Sequence, residues 1–140
     1  MTGNVLNNTH YIILTTRNRK YDFTHPEVFK CTVDDIDFRH TAGHEIDLHL
    51  CVIFPKELHI ILSMTESYGK PVKNWVTAFK RYLSRFIYED LTMKWTPGFQ
   101  CEDIKTMDEL KGCIDKVMSL PQQRGIIPHI SVYSYITAFP

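Results

Sequence analysis

Cys51-Val52-Ile53-Phe54-Pro55-Lys56-Glu57-Leu58-His59-Ile60-Ile61-Leu62 decides how this chain folds. Two apolar stretches flank the Pro55-Lys56 turn and read as consecutive strands joined in a tight hairpin. On the second strand side chains alternate, so Glu57, His59 and Ile61 share one face while Leu58, Ile60 and Leu62 share the other. A carboxylate and an imidazole on one face form half of a candidate divalent-metal site. The same pair is also an ordinary arrangement at a strand start, where a carboxylate bonds a partly buried histidine. His49, on the neighbouring strand, is a further candidate donor.

The organisation around the hairpin follows from punctuation and periodicity. His10 to Thr16 reads as a strand that ends in the basic turn Arg17-Asn18-Arg19-Lys20. Thr24-His25-Pro26-Glu27 is a helix start with Thr24 as N-cap and Glu27 closing a capping box. Phe29, Val33, Ile36 and His40 recur at helical spacing, and Gly43 closes that region. Strands are expected over Glu45 to Phe54 and Leu58 to Met64. Pro71 opens a long helix reaching about Tyr88, with the apolar stripe Val72, Trp75, Val76, Phe79, Leu83 and Phe86. Trp75 and Phe79 lie on that stripe and read as core. A turn at Trp95-Thr96-Pro97-Gly98 precedes a strand from Phe99 to Ile104. Thr106-Met107-Asp108-Glu109 is a second capping box, and Leu110, Cys113, Ile114, Val117 and Met118 give the following helix its buried face. Pro121 is expected to stop it, and Gly125 marks a turn. Ile130 to Phe139 is a strand or extended tail. The order is that of an α+β fold, a ferredoxin-like β-α-β-β-α-β sandwich with an additional C-terminal helix, in one domain over 1–140. That architecture hosts many unrelated activities.

Composition narrows the class. The 140 residues carry no net charge, 44% hydrophobic and 23% charged residues, an ordinary globular balance that does not mark a strongly basic nucleic-acid binder. The cysteines at 31, 51, 101 and 113 form no C-x-x-C pair, which argues against a cysteine-rich zinc site. Cys51 and Cys113 sit in apolar patterns and read as packed thiols. The N-terminus lacks a signal pattern and no apolar run reaches membrane-span length, so the expectation is a cytoplasmic protein with no membrane partner.

Together, these pieces resemble the HUH single-tyrosine transposases, especially the REP-associated tyrosine transposases. Tyr11 through Lys20 looks like that family's opening strand and Thr-x-Asn-Arg-Arg turn. His49 to Leu62 resembles the strand pair carrying M-P-N-H-V-H-L-L, and the helix from Val72 to Phe86 is similar to the one that follows. Trp95 to Phe99 resembles W-Q-x-G-F. Leu120-Pro121-Gln122-Gln123-Arg124-Gly125-Ile126-Ile127 looks like N-P-V-R-A-G-L-V. The resemblance covers nearly the whole chain, and it rests on order and spacing rather than on any one motif.

The resemblance implies a His-x-His pair that holds Mg²⁺ or Mn²⁺, a helix tyrosine that attacks phosphorus, and a further metal ligand one helical turn on. Single-stranded or hairpin DNA is the implied partner, and homodimers occur in some branches. This chain departs from the pattern at most of those points. The first histidine position is Glu57 and the second is His59. The tyrosine position is Lys116 and the third ligand position is Leu120, so no catalytic residue is assigned. Tyr82, Tyr88, Tyr133 and Tyr135 all fall elsewhere. Glu57 and His59 remain the candidate metal ligands. Arg17, Arg19, Lys20, Lys73, Lys80, Arg81, Arg85 and Arg124 are the candidate DNA contacts, against the plainer reading of solvated basic faces.

The expected function is a transposase-like DNA-binding protein that has lost the tyrosine nuclease chemistry. Two alternatives stand beside it. One is an active metal-dependent transposase or nuclease built on Glu57 and His59. The other is a non-enzymatic ferredoxin-like module for protein or RNA, which the neutral charge favours.

Overall fold

The computed structural model describes residues 5–17, 22–86, 94–125 and 132–133. The elements are β1 (Val5–Thr15), α1 (Pro26–His40), β2 (Ile46–Ile53), β3 (Glu57–Met64), α2 (Val72–Phe86), β4 (Gln100–Thr106), α3 (Met107–Gln123) and β5 (Val132–Tyr133). The strands form one antiparallel sheet in the order β4-β1-β3-β2-β5. The first four strands take the ferredoxin-like arrangement, and the short β5 extends it beyond β2. No helix among the described residues is long and apolar enough to cross a membrane.

The sheet separates two apolar layers. Ile12, Leu14, Leu58, Ile60 and Leu62 pack with Val28 and Ile36 of α1 and with Trp75, Val76, Phe79 and Leu83 of α2. On the other side Tyr11, Ile61 and Ile104 pack with Leu110, Cys113, Ile114 and Val117 of α3. Each fully buried aliphatic or aromatic side chain contributes about 1.5–3 kcal/mol, so both layers hold the sheet. In β2 the register slips between Leu48 and Leu50, leaving His49 as the extra residue of a bulge. The slip flips the faces. Ile46 and Leu48 belong to the α1–α2 layer, whereas Leu50, Val52 and Phe54 belong to the α3 layer.

Three expectations are corrected. Helix α1 is capped by His25, whose Nδ1 accepts the Glu27 N–H at 3.2 Å, with Pro26 as the first helical residue. Thr24 instead bonds back to Asp22, which removes it from the cap. The buried stripe of α1 is Val28, Thr32, Asp35, Ile36 and Arg39, one position off the expected one. Phe29 and Val33 are only half-buried at its margin.

The third correction matters for the site. Pro121 does not stop α3, which runs on to Gln123 with Pro121 buried inside it. Proline lacks an N–H and so deletes the bond to the Val117 carbonyl, but the turn beyond it still closes. The Arg124 N–H reaches the Leu120 carbonyl at 2.9 Å, and Gly125, at φ +68°, ends the helix in the left-handed conformation. At the other end Thr106 caps α3, accepting the Glu109 N–H at 3.1 Å.

Candidate nucleic-acid interface

The extra turn of α3 carries Arg124 onto the β2–β3 hairpin, where a chain of polar groups crosses the sheet. Tyr11 and His59 face α3 from β1 and β3. The Tyr11 Oη lies 2.6 Å from His59 Nδ1, and His59 Nε2 lies 2.7 Å from Glu57 Oε1. Arg124 Nη1 donates to the same Glu57 oxygen at 3.0 Å. The guanidinium also lies over Phe54, 4.3 Å from the ring centroid. Phe54 in turn meets the edge of the His59 ring at 5.1 Å. Lys116 projects from α3 over Tyr11, 5.2 Å from the ring centroid, and pairs loosely with Glu102 at 3.9 Å.

Burial sets the charge states. His59 is 2% exposed, and burial pushes its imidazole below the usual histidine range, against the pull of Glu57. A neutral ring fits the contacts. Its Nε2–H donates to the carboxylate, while bare Nδ1 accepts from the Tyr11 hydroxyl. Tyr11 is pushed up to about 12, chiefly by burial and then by Cys113. For Glu57, burial favours the acid form, but the bonds from His59 and Arg124 outweigh it and hold the carboxyl below its usual range.

Glu57 and His59 are therefore together, as the strand alternation requires, but as partners of each other. Both His59 nitrogens are engaged, and a guanidinium stands 3.0 Å from the carboxylate. Leu120 offers no donor. This set does not fit a divalent cation: two donors are too few, and the positive charge beside them is already in place. His49 cannot complete it. His49 lies in the bulge beside Leu48 and Leu50, which pair with Leu62 and Ile61, whereas His59 pairs with Val52; its Nε2 meets Ser63 Oγ at 2.8 Å.

The basic residues divide between the two sides of the sheet. Arg124 and Lys116 lie on the α3 side. Lys73 and Arg81 lie on α2 and line an open depression of about 350 Å³ with Tyr68, Lys70 and Thr77. Lys80 is engaged in the fold. Its Nζ donates to the carbonyls of Gly98 at 2.5 Å and Thr96 at 3.3 Å, and it lies over Trp95, whose Nε1–H returns a bond to the Lys80 carbonyl. Burial accordingly pushes the Lys80 amine down. Arg17 is exposed where β1 ends. Arg19, Lys20 and the Arg85 side chain lie outside the described residues. Trp75 and Phe79 are fully buried and stacked at 5.1 Å, so neither offers a platform for a base.

Sequence reading missed Tyr11 and Phe54 as members of this group. Tyr11 was visible only as one more apolar strand residue. Its partnership with His59 depends on the β1–β3 register, which pairs Tyr11 with Ile61 and Ile13 with His59.

Acid should loosen this arrangement. His59 and His49 are both held below the usual histidine value of 6.5 by burial. The unfolded chain takes up a proton on each near that value while the folded chain does not. Stability present above pH 6.5 is then lost as pH falls through the folded values. Urea unfolding should give a lower free energy at pH 5 than at pH 7, and His59→Gln should flatten that slope. Equal stability at both values would contradict the neutral ring.

No protein-family profile matches the chain, and no curated protein matches it. Solved structures do. The chain is similar to a REP-associated tyrosine transposase bound to a REP hairpin, with TM-score 0.65 and 16% identity over 89% of this chain and 72% of that one. It is also similar to a protein from Deinococcus radiodurans described as a transposase, with TM-score 0.55 and 16% identity over 84% of this chain and 93% of that one. At that identity the likeness is one of fold: the chain has a transposase-like α+β fold.

Proposed function

We propose that this protein binds the phosphate backbone of single-stranded or hairpin DNA on the α3 side of the sheet, with Arg124 in place of a metal and without forming a phosphotyrosine link. The observation that carries the reading is the seating of Arg124. It is anchored to Glu57 at 3.0 Å and laid over Phe54 at 4.3 Å, yet its side chain is still 38% exposed. A guanidinium held in one orientation, with donors left for solvent, suits a phosphate oxygen. Lys116 adds an exposed second cation at the position where the resemblance puts the nucleophilic tyrosine. An amine cannot form a phosphotyrosine. The fold neighbour bound to a REP hairpin favours DNA as the ligand.

Labelled hairpin DNA should bind equally with EDTA or with Mn²⁺, and a denaturing gel should show no covalent adduct. Binding that needs the metal would overturn the proposal. Absence of any DNA binding would leave an interaction module for RNA or protein.

One observation favours a second reading. Tyr11, His59 and Glu57 stand in the order nucleophile, base, orienting carboxylate. The Tyr11 oxygen would bond to phosphorus as its proton passed to His59 Nδ1, and the P–O bond to the DNA would break, its oxygen leaving as a hydroxyl after taking a proton from water. Tyr11 is only 7% exposed, which weighs against attack on a polymer. An adduct on the gel that Tyr11→Phe abolishes would decide for this reading.

A further inference from the structure

The opposite side of the sheet carries a group that the DNA-binding reading does not use. In β1, His10 points away from Tyr11 and toward the α1–α2 side, as alternation requires. It pairs directly with Asp103 of β4, and the next position on that face, Ile12, pairs with Cys101. One imidazole, one thiol and one carboxylate therefore meet on a single face at the edge of the sheet. His10 Nδ1 lies 2.8 Å from Asp103 Oδ1, and Cys101 Sγ lies 3.8 Å from His10 Nδ1 and 4.0 Å from Asp103 Oδ1. Among the described residues this is the group of three such side chains whose donor atoms all lie within 4.8 Å of one another.

We propose that His10, Cys101 and Asp103 form a binding site for a zinc-class divalent ion. Tetrahedral zinc, with bonds of about 2.0–2.3 Å, sets its ligand atoms roughly 3.3–3.6 Å apart. The two sulfur distances already come within about half an ångström of that spacing. The remaining pair must open by a similar amount, and the Asp103 side chain, 66% exposed, is free to swing. The donor set selects the metal. Thiolate and imidazole favour zinc or cobalt over Mg²⁺ and Mn²⁺, which take oxygen ligands. Three protein ligands at an exposed edge leave the fourth position to water.

His10 also limits the affinity. Its Nε2 is buried with no hydrogen-bond partner among the described residues. Binding through Nδ1 moves the ring proton to that nitrogen, where none of the described carbonyls or carboxylates receives it. Ligating histidines ordinarily have such a partner, and its loss weakens a site about 10–100-fold. The ion should therefore exchange readily rather than act as a structural staple.

Cobalt titration of the full chain tests this. A sulfur-to-cobalt charge-transfer band should grow to saturation and be displaced by zinc. Cys101→Ser should remove the band, and His10→Ala should weaken binding by at least about 100-fold, more than loss of an outer partner would. Cys113→Ser and His59→Gln should leave it intact. Cys101 is exposed, so its serine variant keeps the fold and circular dichroism checks that. Absence of the band, or its persistence in Cys101→Ser, would overturn the site. Either result is independent of DNA binding on the other side of the sheet.

Discussion

Arg39→Ala is expected to destabilise the fold by roughly 3–5 kcal/mol, the cost of breaking a buried ion pair by removing one partner. Arg39 Nε donates to Asp35 Oδ2 and its Nη1 to Glu45 Oε1, both at 2.8 Å. The Asp35 side chain is 5% exposed, so alanine at 39 would strand a carboxylate under α1. Burial already pushes that carboxyl up, against the opposing pull of Arg39. The same guanidinium lies 5.9 Å from the Trp75 and Phe79 rings and 5.8 Å from that of Tyr82, so it also ties α1 to α2. Against a total stability of about 5–15 kcal/mol the loss is large, and Tm should fall by roughly 10–20 °C. Urea and thermal unfolding followed by circular dichroism would measure it. Arg39→Met combined with Asp35→Leu should be more stable than the Arg39 single variant, because the Asp35 charge is removed with its partner and only Glu45, 22% exposed, is left to water. A single-variant loss under about 1 kcal/mol would mean that the network is solvated and unimportant.

This pair also explains why part of the fold was legible in the sequence and part was not. Alternation around Glu57 to Leu62 and the box at Thr106 to Glu109 are local signals; the structure keeps the first and the Thr106 half of the second, with the Glu109 carboxylate accepting from the Lys105 N–H instead. The buried face of α1 includes Asp35 and Arg39, which a hydrophobic period cannot register, so the expected stripe fell one position away. The His49 bulge is equally silent, because Leu48, Leu50, Cys51, Val52 and Ile53 are apolar on both faces and give no alternation to break. Pro121 was read by its local rule, but its buried ring and the turn beyond it override that rule. The candidate site suffered most. Glu57 and His59 were visible as a pair two residues apart, whereas Tyr11 lies 48 residues from His59, and Arg124 lies 67 from Glu57. Contacts of that range appear only once register and helix length are known. The missing partners change the chemistry from a half-built metal site to a closed chain of hydrogen bonds.

Removing both cations on the α3 side should have the largest effect on ligand binding. Arg124→Ala with Lys116→Ala is expected to weaken binding of a single-stranded or hairpin oligonucleotide by about 100-fold or more, taking roughly 1.5–3 kcal/mol for each lost charged hydrogen bond. The slope of log K against log salt should shrink by about 1.4, the value for two phosphate contacts on a single strand. Both side chains are substantially exposed, at 38% and 56%, so the double variant should fold normally. Glu57 would lose its guanidinium partner, so its carboxylate would stand beside the phosphate with no cation to offset it. Arg124→Lys separates the two effects. It should keep most of the salt slope and lose affinity, because an ammonium cannot lie over Phe54 while bonding Glu57 and phosphate together. Lys73→Ala with Arg81→Ala, on the other side of the sheet, serves as the counter-test. If that pair weakens binding while the α3 variant binds normally, the interface lies on α2 and the assignment to Arg124 fails.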